Sequence, residues 1–123
     1  MNANQIIGVD VDLSYLQPKV VQEALANKKI KIIQHDVTHE SITNVLNEKY
    51  DVIIDDASHQ IPQQLISFNL LKDSLNEGGI YIIEDVQSDQ NAEFLVSNMP
   101  NSQVIDLRHV KNRYDDLVVV YRK

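Results

Sequence analysis

Four short apolar runs rich in β-branched residues constrain the fold more than any other feature. They are QIIGVDV (5–11), IKIIQH (30–35), DVIIDD (51–56) and IYIIEDV (80–86), and each is followed by a stretch with helical spacing of apolar residues. Strands joined by helix-length crossovers pack as a parallel sheet with helices on its faces. The spacing predicts helices from Pro18 to about Asn27, over His39–Lys49, from Ile61 or Pro62 to about Asn76, and over Asn91–Met99. Pro18 suits a first helical turn, and Leu65, Phe68, Leu71 and Leu75 form the buried stripe of the third helix. EGG (77–79) reads as that helix's left-handed cap. DVIIDD is apolar on both faces, which predicts a central strand. QVIDLRHV and LVVVYRK, separated by a short polar turn at 111–116, cannot form a parallel crossover and are expected as an antiparallel hairpin at the sheet's edge. The expected architecture is a Rossmann-like three-layer α/β sandwich, mostly parallel, in a single domain over residues 1–123.

The 123 residues carry a net charge of -7, and lysine and arginine are locally dense only at 28–31 and 108–113. No face is set to gather the basic stripe that phosphate tracking needs, so a nucleic-acid partner is not expected. There is no cysteine, which excludes disulfides, thiolate metal sites and cysteine nucleophiles. No apolar stretch nears the ~18 residues of a bilayer span, and MNANQ has no signal-peptide pattern, so a soluble, cytoplasmic protein without a membrane partner is expected.

Ligands of open α/β sheets gather beyond the carboxyl ends of the parallel strands. Every such strand here ends in acid: Asp10 and Asp12, then Asp36, then Asp55 and Asp56, then Glu84 and Asp85. If the third and fourth strands adjoin, Asp56, Glu84 and Asp85 converge, because neighbouring strands lie about 4.8 Å apart. Three close carboxylates repel one another unless a proton or cation sits among them, and an all-oxygen set suits a hard ion such as Mg²⁺. His59 then stands where a general base would act, with an intrinsic pKa suited to the task. The competing explanation is ordinary: acids at strand ends cap the following helix or answer its dipole. Ser58 beside His59 is not a nucleophile–base pair by adjacency alone.

IIGVDVD, IIQHDV, DVIIDDASH, SFNLLKDSLNEGGIYIIEDVQS and RYDDLVVVYRK follow one another as in class I S-adenosylmethionine-dependent methyltransferases. The closest resemblance is to the macrocin O-methyltransferase-like group, metal-dependent enzymes that methylate sugar hydroxyls. It implies that Asp10 accepts hydrogen bonds from the cofactor ribose and that Asp36 approaches the adenine amino group. It further implies that Asp56, Glu84 and Asp85 hold Mg²⁺, that His59 deprotonates the acceptor, and that the acceptor is a small molecule bearing a hydroxyl group. The family's first strand and glycine-rich loop have no counterpart among the three glycines of this sequence. In these enzymes that strand lies between those matching 5–11 and 51–56. The expectation is therefore that a segment precedes this chain, that the two strands pair directly, or that another chain, such as a second copy, completes the sheet.

Two other readings stand beside the enzyme. A methyltransferase-like remnant would keep the fold and bind a partner without catalysis. A receiver-type phospho-acceptor domain would use Asp10 and Asp12 for Mg²⁺ and Asp55 for phosphate, although no Lys-Pro follows the fifth strand and the chain ends in a hairpin.

Overall fold

The computed structural model describes residues 3–123. Six strands alternate with helices: β1 (Ile6–Asp10), α1 (Pro18–Ala26), β2 (Ile30–Gln34), α2 (Ile42–Val45), β3 (Tyr50–Asp55), α3 (Ile61–Leu71), β4 (Leu75–Ile83), α4 (Asp89–Asn98), β5 (Ser102–Asp106), α5 (Arg108–Lys111) and β6 (Leu117–Arg122). The strands fall into two sheets. β1 and β2 pair in parallel, and a four-stranded sheet has the order β3-β4-β6-β5.

β3 and β4 are parallel, whereas β6 runs antiparallel to both β4 and β5. The expected hairpin is present, with β6 inserted beside β4 and β5 left at the edge. Within the larger sheet only β6 reverses direction, yet two of its three pairings are antiparallel because β6 occupies an interior position. The mostly parallel expectation is thus met only in part.

The core lies on the four-stranded sheet. Phe68 of α3 packs edge-on against Tyr81 and Tyr121, with ring centroids 5.3 and 5.0 Å apart. Leu95 of α4 and Met99 at its end, with Ile83, Leu117 and Val119, complete a contiguous buried cluster. Burying such side chains is the dominant favourable contribution to folding, about 25 cal/mol per Å² of apolar surface. Ile42 of α2 joins the same cluster, and Val9 and Val37 tie the two-stranded unit to it.

Several sequence expectations give way locally. β3 is not central among the described strands: it bonds only to β4, and its Ile54 is 55% exposed. β1 bonds only to β2, so direct β1–β3 pairing is absent among the described residues. The helix expected over His39–Lys49 shrinks to the single turn of α2. Side chains capture the backbone just before it instead, with the Thr38 amide donating to Asp36 and the Ser41 amide to His39, a competition that disfavours an earlier helix start. α3 ends in a 3₁₀ turn over Lys72–Ser74, and Gly78 and Gly79 lie inside β4 rather than capping the helix. Gly78 (φ 76°) exchanges its bonding edge to the C-terminus, its amide donating to the Lys123 carbonyl at 3.1 Å. At Gly79 a Cβ would meet the Asp51 carbonyl oxygen at 3.1 Å and that of Asn76 at 2.9 Å, so here glycine permits close strand approach.

Candidate active site at the strand ends

The last rung between β3 and β4 is the Glu84 amide donating to the Asp55 carbonyl at 3.0 Å. Beyond it the strands part, and the next side chains are free to face a common space. A cleft of about 350 Å³ opens there. Asp56, Glu84 and Asp85 line one side, Leu107, Val110 and Val118 form an apolar wall, and Lys111, Arg113 and Asp116 stand at its rim. Ligand atoms of Asp56, His59 and Asp85 lie within 4.8 Å of one another.

The three acids assigned to metal binding therefore share one cleft, but the group of Asp56 and Asp85 whose ligand atoms lie within 4.8 Å contains His59 in place of Glu84. Opposed oxygens across an octahedral Mg²⁺ stand roughly 4.2 Å apart, twice its bond length. The spacing and hard-donor chemistry of Asp56 and Asp85 fit such an ion, with Glu84 beside them and His59 in reach. Asp85 sits at φ 51°, uncommon for a residue with a side chain. Its carbonyl accepts a hydrogen bond from the Gln87 amide group at 2.9 Å, which helps hold this turn.

Asp55 behaves differently from its neighbour. It is only 7% exposed, and its Oδ2 accepts hydrogen bonds from the Ser67 hydroxyl at 2.5 Å and the Tyr81 hydroxyl at 2.9 Å. Burial, followed by the Asp55 charge, pushes the Tyr81 phenol well above its usual range. A phospho-acceptor carboxylate must meet solvent, so this placement removes the physical basis for the receiver reading. Ser58 donates to the Gln63 side chain and accepts from the Gln60 amide, which makes it part of the entry to α3 rather than a partner of His59.

The two residues assigned to the cofactor end β1 and follow β2. Asp10 Oδ1 accepts the Asp12 amide at 3.0 Å and Oδ2 accepts the Tyr15 hydroxyl at 2.5 Å. The Asp12 amide first, and Tyr15 second, hold the Asp10 carboxyl below the ordinary range. Asp36 Oδ1 accepts both the hydroxyl and the amide of Thr38, at 2.7 and 2.8 Å, and these lower its pKa in that order. Both carboxylates are thus anionic acceptors at neutral pH, and Tyr15 meets Asp10 as a ligand hydroxyl would.

Sequence reasoning passed over three participants. Arg113 lies 3.4 Å from Asp115, 3.6 Å from Asp116 and 3.7 Å from Asp85, and Asp85, Asp115 and Asp116 form a second close acidic group. RYDD in the last loop was the available signal; it entered the family resemblance and was otherwise read as a polar turn, with no site role given to its residues.

Comparison with solved structures places the chain first by class: it has the fold of the class I S-adenosylmethionine-dependent methyltransferases. The particular neighbours follow. MycE, a methyltransferase of the mycinamycin biosynthetic pathway, in a complex with Mg and S-adenosylhomocysteine, aligns over 96% of this chain and 37% of its own, at a TM-score of 0.64 and 19% identity. In its complex that also holds mycinamycin VI, the alignment covers 66% of this chain and 20% of MycE, with 28% identity and a TM-score of 0.53. Fibrillarin from Methanococcus jannaschii aligns over 94% of this chain and 54% of its own (TM-score 0.61, 21% identity), and the N-methyltransferase NodS from Bradyrhizobium japonicum over 97% and 73% (TM-score 0.60, 15% identity). The chain spans well under two thirds of MycE. No family model matches the sequence, and no curated protein matches it. Among the described residues no helix is long and apolar enough to cross a membrane.

Proposed function

We propose that this chain forms the catalytic portion of an S-adenosylmethionine-dependent, Mg²⁺-assisted O-methyltransferase acting on a hydroxyl group of a sugar or another small molecule. The observation that carries the reading is the meeting of Asp56, His59 and Asp85 at the carboxyl ends of two parallel strands, beside a cleft that Asp56 and Asp85 line. The likeness to MycE, whose complexes hold Mg and S-adenosylhomocysteine, supports the choice of cation and cofactor.

In this reading Asp56 and Asp85, with Glu84 beside them, hold the cation. His59 takes the proton of the acceptor hydroxyl at an imidazole nitrogen. Asp10 accepts the ribose hydroxyls in place of Tyr15, and Asp36 approaches the adenine amino group. When both groups are bound, the chemistry they supply is charge stabilisation of the acceptor oxygen and an electrophilic methyl group. Leu107, Val110 and Val118 offer the acceptor an apolar resting face.

A second reading, a methyltransferase-like binding module without catalysis, draws on exposed apolar surface. Val20 and Leu25 of α1 are 51% and 60% exposed, and Ile54 on the open edge of β3 is 55% exposed. Such surface favours association with another segment or chain, including a second copy. Calorimetry with S-adenosylmethionine and S-adenosylhomocysteine, with and without Mg²⁺, separates the two. Cofactor binding strengthened by Mg²⁺ is expected for the enzyme; absence of heat from every combination favours the binding module.

A further inference from the structure

Among the described residues two arginines are engaged by several acids, and they are built differently. Arg108 grips Asp106 and Asp89 with contacts of 2.7 and 2.9 Å, within the range of charge-assisted hydrogen bonds. Arg113 instead stands 3.4 to 3.7 Å from three carboxylates, longer than any such bond, and its side chain is half exposed. Its guanidinium is neutralising charge without being locked to a partner.

Asp85 is the point at which two groups meet. On one side it joins Asp56 and His59, and on the other Asp115 and Asp116. Arg113 occupies the second side. We propose that Arg113 is a resident competitor for the divalent cation: it shares Asp85 while the cleft lacks metal, and it must yield that carboxylate when a cation seats between Asp56 and Asp85. This rests on the metal reading given above. Asp115 and Asp116 make the exchange feasible, because they retain the displaced guanidinium and spare it a full return to water. The loop carrying it is attached to the opposite strand end, with the Tyr114 hydroxyl donating to Gln87 at 3.1 Å and the Val86 amide to the Leu117 carbonyl at 3.0 Å. Metal entry thus bears directly on the loop at 112–116, next to the apolar wall proposed for the acceptor.

The sign of the effect is opposite to that of an ordinary site residue: removing Arg113 strengthens binding. One unit charge about 7 Å from a dication in a solvent-exposed cleft changes affinity by roughly tenfold. The test is Mn²⁺ titration followed by electron paramagnetic resonance for the wild type, Arg113→Gln and Arg113→Lys, with circular dichroism to verify the fold. Arg113→Gln is expected to bind Mn²⁺ roughly tenfold more tightly, the gain shrinking in high salt, and Arg113→Lys to stay near wild type. Binding by Arg113→Gln alone also supports the proposal. Wild-type binding that Arg113→Gln leaves equal or weakens overturns it while sparing the metal reading. No binding by any of the three overturns both.

Discussion

Tyr81→Phe isolates the buried anchor beneath the cleft. The substitution removes one hydroxyl and keeps the ring, including its edge-on contact with Phe68. At neutral pH it deletes a 2.9 Å hydrogen bond to the carboxylate of Asp55 and leaves Ser67 as the remaining donor to that oxygen. Hydrogen bonds to charged groups contribute about 1.5–3 kcal/mol, so a loss near 2 kcal/mol is expected. In a domain of this size that corresponds to a fall in Tm of roughly 6–10 °C. The effect should fade in alkali. Tyr81 has a folded pKa raised above its ordinary value of 10.0, by burial first and the Asp55 charge second. Its contribution is therefore complete below pH 10 and is lost as pH rises, because only the unfolded chain releases the proton. Wild-type stability should drop through this group by about 1.4 kcal/mol per pH unit above 10, a slope that Tyr81→Phe lacks. The other tyrosines are present in both proteins and cancel. Urea denaturation of the pair from pH 7 to 11.5 is the assay: a gap near 2 kcal/mol at pH 7 should close near pH 11.5. A gap below 0.5 kcal/mol at pH 7, or one that stays constant to pH 11.5, would refute the account of Asp55 and Tyr81.

Asp56→Asn should weaken Mn²⁺ binding at least tenfold by removing a charged donor, whereas His59→Ala should reduce methyl transfer far more than metal affinity; unchanged metal affinity in Asp56→Asn would show the assigned donor set to be wrong. Tyr15→Phe should raise affinity for S-adenosylhomocysteine a few-fold in calorimetry, because Asp10 no longer has to release the tyrosine hydroxyl before accepting a ribose. Gly79→Ala should cost about 2 kcal/mol or more in urea denaturation, since its Cβ would press on two backbone carbonyls that have no side-chain freedom to yield. Full stability in that variant would mean that β3 and β4 are less closely apposed at Asp51 than the structure shows.

The strand rhythm was legible because β-branched runs and helical spacing are local properties, and all six strands form near where those runs lie. Pairing was less legible. DVIIDD looks central because both its faces are apolar, but which edges a strand bonds depends on distant segments, and β3 bonds only to β4. EGG has the composition of a helix cap; its use inside β4 follows from the C-terminal strand end bonding to Gly78 and Gly79. At the site, strand-end acids marked the right region. Local sequence did not show that Asp55 turns inward or that Arg113, in the last loop, returns to Asp85. The first follows from Ser67 of α3 and Tyr81 of β4 meeting Asp55, and the second from β6 running back beside β4.

The doubled acids, Asp55-Asp56 and Glu84-Asp85, now have a physical explanation. Successive side chains on a strand point to opposite faces, so Asp55 and Asp56 divide their labour, whereas Glu84 and Asp85, beyond the end of β4, both line the cleft. In the first pair Asp55 turns inward to Ser67 and Tyr81, fixing where β3 stops, and Asp56 faces the cleft. In the second, the Glu84 amide closes the last rung on the Asp55 carbonyl. Asp85, the first residue beyond it, turns through φ 51° towards Asp56. The buried anchor and the exposed donor are therefore one residue apart on β3, and the anchor's carbonyl also sets the point at which β4 lets go. This coupling explains why the carboxylates converge without touching in the ladder itself. It also means that a loosened Asp55 should displace Asp56 and Asp85 together, linking a buried carboxylate to the geometry of the cleft.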